Sequence, residues 1–273
     1  MEKKRRKFKL SPIIGTVLAI AWLFPFYLMI VNSLKTKKEI FTNTLGVPQD
    51  LTFENYPNAY ESLDFAKTFL NSLIITVCSV VLIVVLSSLA AYALQRVKSK
   101  ISGILFMLFV AAMLIPFQSV MIPLVTIFGK VDQLNMGGLI FMYIGFGSSM
   151  SIFLYHGSMK SIPKSLDEAA IIDGASRFQI FRYVIFPMLK PTTVTVALLN
   201  TMWIWNDYLL PSLVVNKEGS QTIPLKMFFF FGEYTKQWHL ALAGLMIAII
   251  PVIIFYFIMQ KQIIAGVSDG AVK

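Results

Sequence analysis

The sequence predicts an all-α polytopic membrane protein with six transmembrane helices and both termini on the cytoplasmic side. Three observations lead there. Of 273 residues, 56% are hydrophobic and only 14% charged, and the mean hydropathy of +0.71 is above what a water-soluble domain normally tolerates. The charges also leave long uncharged runs, Leu10 to Leu34, Thr68 to Gln95, Ile101 to Gly129 and Gln133 to Met159. Each exceeds the roughly 20 residues that a helix needs to cross a bilayer core. Finally, with the N-terminus inside, sixteen Lys and Arg residues fall in inner segments and eight in outer ones, as the positive-inside rule requires. The net charge of +10 is thereby explained by topology, and no nucleic-acid partner is needed.

In chain order, residues 1–10 form a basic cytoplasmic N-terminus and residues 11–264 a single transmembrane domain. Its spans are expected at about 11–33, 70–94, 102–127, 135–158, 189–211 and 240–261. The first apolar run is too long for a signal-peptide core and no small-x-small cleavage site follows it, so it reads as a retained span. The outer loop from Lys35 to Lys67 has turn signals and a short helix near Pro57 to Leu63, and reads either as a docking surface or as a solvated loop. Pro25, Pro116, Pro123, Pro187, Pro191 and Pro251 lie in or at the spans, where prolines are expected to kink rather than end a helix. The fifth span is interrupted by Lys190 and Asp207. Cys78, the one cysteine, excludes an intramolecular disulfide and reads as a small packing residue. Residues 265–273 form a cytoplasmic tail.

Residues 160–182 interrupt the apolar pattern with a dense set of helix signals. Ser165 with Glu168 has the spacing of a capping box, and Asp167 and Glu168 suit the positive end of a helix dipole. Gly174 is placed to adopt the left-handed conformation that closes the helix, and Ser176 with Gln179 forms a second capping box that opens another. A helix of about eight residues is marginal alone in water and must pack against something. Its expected contact stripe is Leu166, Ala169, Ala170 and Asp173, with small alanines that admit a close approach. A helix resting on lipid headgroups would instead carry large apolar residues and cations. Docking against a protein is the favoured alternative.

Glu168-Ala169-Ala170, Gly174 and Val184-x-Phe186-Pro187 resemble the EAA motif of permease subunits in binding-protein-dependent ABC importers. Val184 and Phe186 stand where the motif has isoleucine and leucine. DEAAIIDGA, PFYLMIVNSLKT, AYALQRV, MIPLVTIF, WNDYLLP and GVSDGAVK extend the resemblance to carbohydrate permeases like the second membrane subunit of the maltose transporter. The resemblance implies the type I ABC importer permease fold, in the bacterial cytoplasmic (inner) membrane. It implies import of a di- or oligosaccharide by alternating access, with residues 165–174 as a coupling helix docked on a separate ATPase. Ser165, Leu166, Glu168, Ala169, Ala170, Asp173, Gly174 and Arg177 are then the ATPase-coupling residues, Glu168 and Gly174 foremost. The implied partners are a second homologous permease, a cytoplasmic ATPase dimer that holds ATP and Mg, and an extracellular or periplasmic sugar-binding protein. The chain itself is expected to hold no cofactor, and the tail either to touch the ATPase or to be an ordinary frayed terminus.

Gln118, Asn200, Trp203, Asn206, Asp207 and Tyr208 are the substrate-path candidates, since sugars stack on aromatic faces and pair with Asn and Asp. For the span-five group an ordinary interfacial aromatic belt is the competing reading, and for Gln118 a hydrogen bond to a neighbouring helix is the favoured one. The loop Asn216 to Trp238 is either a dock for the binding protein or a connector. His156 and His239 have no accompanying carboxylates, so no metal site is expected. No phosphate-binding GxxxxGK[ST] loop is present, which leaves ATP hydrolysis to another chain, and no nucleophile or acid–base cluster suggests an enzyme. An ion-coupled secondary transporter would place ionisable residues at the midplane of several spans, and spans one to four and six show none.

Overall fold

A computed structural model describes residues 10–97, 99–231 and 237–271. The basic N-terminus through Lys9 and the last two residues of the tail lie outside it. The described chain is helical throughout its regular structure. The first half contains α1 (Leu10–Ser33), α2 (Lys37–Thr42), α3 (Asn55–Ser62), α4 (Phe65–Arg96), α5 (Lys100–Ala112), α6 (Phe117–Lys130) and α7 (Met136–Met159). The second contains α8 (Ser165–Ile172), α9 (Arg177–Ile180), a π-helix (Phe181–Ile185), α10 (Phe186–Met188), α11 (Lys190–Asn206), α12 (Leu209–Val214), α13 (Ile223–Phe228) and α14 (Trp238–Ala271). The described residues form two compact units, those within 10–65 and 227–253 and those within 66–226 and 254–271.

All six expected apolar stretches fall on helices. Those in α1, α4 and α7 are each long and apolar enough to cross a membrane. α4 has 32 residues, about 48 Å at 1.5 Å per residue, so it outruns the roughly 30 Å hydrocarbon layer. The third stretch is a bent pair, α5 and α6, at 101° to one another. Here the kink expected at Pro116 is a full break. The chain tightens into three-residue turns at Met113, Leu114 and Ile115, and Pro116 is extended at φ −68°, ψ 138°. A proline excludes the helical conformation from the residue before it, and nothing restores the ladder. Pro25, Pro123 and Pro251 do lie inside continuous helices. The fifth stretch is α11, entered through a 78° bend at Leu189. Helix α14 continues through the expected tail to Ala271.

In the first unit the outer loop is built around a buried cation. Lys35 is fully buried, and its ammonium donates to Asn32 Oδ1 at 3.1 Å, to the Asn43 carbonyl and to the Thr44 carbonyl at 3.5 Å. Burial lowers its pKa, against the attraction of Glu39, which raises it. Glu39 in turn accepts from the Gln49 amide at 2.6 Å, and the Asn55 amide bridges the Ser33 and Lys35 carbonyls at 2.8 Å each. The loop is therefore folded from within, with α2 and α3 as its regular parts. Helix α3 matches the expected short helix.

In the second unit α7 is central and packs on α5, α11 and α12. Ile83, Leu139, Tyr143, Ile152, Tyr155 and Val196 are among its fully buried side chains. A Cβ at Gly147 would stand 2.6 Å from both Ile83 Cδ1 and Asn200 Oδ1, so the glycine lets α4 and α11 approach α7 closely. The segment before α13 is pinned to α4, with Asn71 donating to the Gly219 and Gln221 carbonyls at 3.1 Å each and Ile223 N–H donating to Ser72 Oγ at 2.9 Å.

Candidate functional site

Helix α8 begins one residue earlier than its sequence signature indicates. Lys164 is already helical at φ −68°, ψ −23°, and no side chain caps the start. The Pro163 and Lys164 carbonyls accept from the Leu166, Asp167 and Glu168 amides at 3.0–3.4 Å, leaving nothing for Ser165 Oγ to cap. The Ser165–Glu168 capping box is therefore not formed. Both side chains are exposed instead.

The end of α8 is as expected. Gly174 is left-handed at φ +81°. The Ala175 amide donates to the Ala170 carbonyl at 2.9 Å and the Gly174 amide to the Ile171 carbonyl at 3.0 Å, the two bonds of a Schellman closure. The second capping box also forms: Ser176 N–H donates to Gln179 Oε1 at 2.7 Å and Gln179 N–H to Ser176 Oγ at 3.4 Å. Arg177 follows as the first, exposed residue of α9.

The helix opened there does not run straight into α11. At Phe181–Ile185 the ladder widens, with Phe186 N–H donating to the Phe181 carbonyl. Pro187 and Pro191 have no N–H to give, so the bonding register slips before the first and the chain bends at Leu189 before the second. The connection is therefore a jointed one.

Helix α8 presents two different faces. Its inner face holds Asp167, 9% exposed, and Ala170, which packs against the core cluster of the second unit. The outer face carries Ser165, Glu168, Ala169 and Ile172, flanked by Leu166, Ile171 and Asp173, all exposed. The expected stripe of Leu166, Ala169, Ala170 and Asp173 is thus rotated, with Ala170 turned inward. Ile172 is 86% exposed, Ile171 58% and Phe178 61%, an apolar surface rimmed by acids. Cap and motif spacing does not single out these three. Their signal was a pair of isoleucines on a short helix with no room to bury both.

Asp167, which its place in the first turn marks only as a dipole partner, is the anchor of the inner face. Its Oδ1 accepts from Tyr92 OH at 3.0 Å and Arg96 Nε at 3.1 Å, and its Oδ2 pairs with Arg96 Nη2 at 2.8 Å. Arg96 Nη1 donates to the Ile162 carbonyl at 3.3 Å, and Lys164 reaches the Arg96 carbonyl at 3.5 Å.

The substrate-path candidates divide. Asn200 is buried and donates to Ser151 Oγ at 3.1 Å and to the Val196 carbonyl at 2.8 Å. Asp207 caps the end of α11, accepting from Tyr143 OH at 2.9 Å and from the Leu209 amide at 3.0 Å. Both thus join helices within the chain. Trp203 lies edge-on to Tyr143, ring centroids 5.4 Å apart, and with Asn200, Met113, Phe146 and Met150 lines a cavity of about 260 Å³. Asn206 is exposed and donates to the Met202 carbonyl at 2.7 Å, while Tyr208 packs against the core cluster. Gln118 is exposed in the first turn of α6 and does not line that cavity. His156 stacks on Phe106, centroids 3.9 Å apart.

A family profile described as "Binding-protein-dependent transport system inner membrane component" matches residues 83–269, from the middle of α4 to the end of α14. The chain belongs to this family. It is a multi-pass inner-membrane transport permease. The permease is 57% identical over the whole of both chains to the "Probable starch degradation products transport system permease protein AmyC" of Thermoanaerobacterium thermosulfurigenes. It is 38% identical to the "Multiple sugar-binding transport system permease protein MsmG" of Streptococcus mutans, over 96% of this chain and 95% of that one. With the "Melibiose/raffinose/stachyose import permease protein MelC" of Bacillus subtilis it shares 34% over 99% and 98%. A crystal structure of a bacterial ABC transporter involved in the import of the acidic polysaccharide alginate contains a chain that superposes with a TM-score of 0.78, at 25% identity, over 96% of the permease and 99% of that chain.

Proposed function

We propose that the permease is a membrane subunit of an ATP-driven sugar importer, that its cargo is a di- or oligosaccharide, and that α8 is the element that docks on a separate cytoplasmic ATPase. The observation that carries this reading is the division of α8 into two faces. A helix of eight residues has little stability of its own, and its inner face and both ends are held by this chain while Glu168, Ala169 and Ile172 stay open. A helix held behind and bare in front is suited to seat on another protein.

Transport then proceeds by alternating access. ATP and Mg bind the ATPase dimer, its closure moves α8, and α8 moves the spans, together with a second homologous permease and a loaded sugar-binding protein outside. The names of the relatives, which concern starch degradation products, multiple sugars and raffinose-type sugars, support an oligosaccharide and make maltotriose the first probe. The test is co-purification from native membranes followed by uptake of radiolabelled maltotriose into proteoliposomes. A related permease and a soluble ATPase should accompany the chain, with uptake that requires ATP. A lone chain that transports by itself would overturn the proposal.

A further inference from the structure

The end of α4, AYALQRV, is held to α8 by Tyr92 and Arg96 but has no role in the docking of α8 itself. We propose that Tyr92 and Arg96 form a latch on Asp167 that makes α4 a second output of α8, parallel to the jointed path through α9, α10 and α11. The inference rests on the reading of α8 as the ATPase-docking helix.

Four features carry it. Asp167 points away from the open face of α8, so its charge is not offered to a partner. Arg96 engages it twice, Nε donating to Oδ1 at 3.1 Å, which fixes direction, and Nη2 standing in ion-pair contact with Oδ2 at 2.8 Å. Arg96 Nη2 and Asp167 Oδ2 are closed to water and, among the described residues, make no hydrogen bond, so their charges are balanced by the ion pair alone. The cluster is reciprocal, since Arg96 also holds the Ile162 carbonyl while Lys164 holds the carbonyl of Arg96. A displacement of α8 must therefore either carry the end of α4 with it or leave a buried charge unpaired, which is the costly outcome. By contrast, the path to α11 contains a π-helix and a 78° bend. The direct bond to α4 is the stiffer of the two. Asp167 and Arg96 are positioning residues in this scheme, acting on the spans through α4.

The test uses the assembled complex in proteoliposomes, with cysteine-free partners and a spin label on Cys78, the chain's one cysteine, which is exposed on α4 itself. The label reads movement of α4 on ATP binding and does not depend on the sugar. In Asp167→Asn and Arg96→Gln the fraction of label that moves should fall about five-fold or more, the lower end of ordinary coupling between sites, while ATPase stays bound. The reversed pair, Arg96→Asp with Asp167→Arg, should recover at least half of it. If a single variant does not reach the membrane, Tyr92→Phe removes only the 3.0 Å bond and should lower the moving fraction about two-fold. Full movement of the label in the variants that assemble would overturn the latch. Glu168→Arg with Ile172→Asp, on the open face, distinguishes the two levels: ATPase retained there removes the docking reading, whereas ATPase lost there with normal movement in Asp167→Asn removes the latch alone.

Discussion

Gly174 offers a test in which sterics and backbone conformation separate cleanly. Its φ of +81° lies where L side chains are strained, yet a Cβ built there meets no atom within 4 Å. Any side chain has room, so within this chain the cost of a substitution is conformational. Alanine should lose about 1 kcal/mol and valine, branched at Cβ, about 2 kcal/mol, whereas asparagine, which tolerates the left-handed region, should lose about 0.5 kcal/mol. With no neighbour to hold the strained turn, α8 relieves it by opening its last turn and losing the two closing bonds at 2.9 and 3.0 Å. A partner that needs the closed turn then binds only the remaining fraction. Apparent affinity for the ATPase should fall by up to about five-fold for Gly174→Ala and up to about thirty-fold for Gly174→Val, and stay within about two-fold for Gly174→Asn, at tenfold per 1.4 kcal/mol. The assay is ATPase titration on the permease pair in nanodiscs, with membrane insertion checked by yield. An equal loss for asparagine and valine would refute the reasoning, because it would mean that side-chain bulk at the interface, not φ, decides.

Three further outcomes follow from the packing. Tyr143→Phe and Asp207→Ala should show a coupling of about 0.6–1.7 kcal/mol in a double-mutant cycle of unfolding in detergent, the range for polar bonds between membrane helices, and additive effects would dissolve the bond as a stabilising link. Gly147→Ala places a methyl 2.6 Å from Ile83 Cδ1 and from the doubly bonded Asn200, and should cost about 1–3 kcal/mol by overpacking, read as a lower unfolding midpoint. Lys35→Met removes the charge-assisted bond to the Asn43 carbonyl, worth about 1.5–3 kcal/mol, and a weak contact with that of Thr44, and should speed limited proteolysis within residues 37–53 at least tenfold, whereas unchanged cleavage would show that the loop is held without it.

The apolar helices were legible because long uncharged runs have few alternatives in a chain this hydrophobic. Local cap chemistry was legible only in part, and two stretches of like spacing show why. Ser165-x-x-Glu168 was read as a cap and is not one, whereas Thr36-x-x-Glu39 went unread and is one, Thr36 Oγ1 accepting from the Glu39 amide at 3.3 Å. The difference is the backbone before the helix. Thr36 is extended at ψ 157°, which frees its side chain to cap, whereas Lys164 is already helical behind Pro163. The partners of Asp167 were invisible for another reason: Arg96 is 71 residues away and Tyr92 is 75, and one sequence carries no sign of such pairings. The same holds for Tyr143 with Asp207 and Asn200 with Ser151, pairings between helices that no spacing in the sequence announces. Pro116 shows the limit of residue-type rules. Its identity announces a fault in the helix, but only its surroundings decide between a kink and a corner.

The π-helix at Phe181–Ile185 has a consequence for how this stretch can vary in length. A ladder that spans five residues in place of four takes up one residue more than an α-helix would, so it works as a vernier between the capped turn at Ser176 and the corner at Leu189. Removing a single residue there would restore the tighter period and leave both sides facing nearly as they do now, whereas removing one from a regular turn of α11 would swing one side by about 100° relative to the other. Surface loops absorb such changes by drifting; a drive shaft cut one tooth short engages the wrong face.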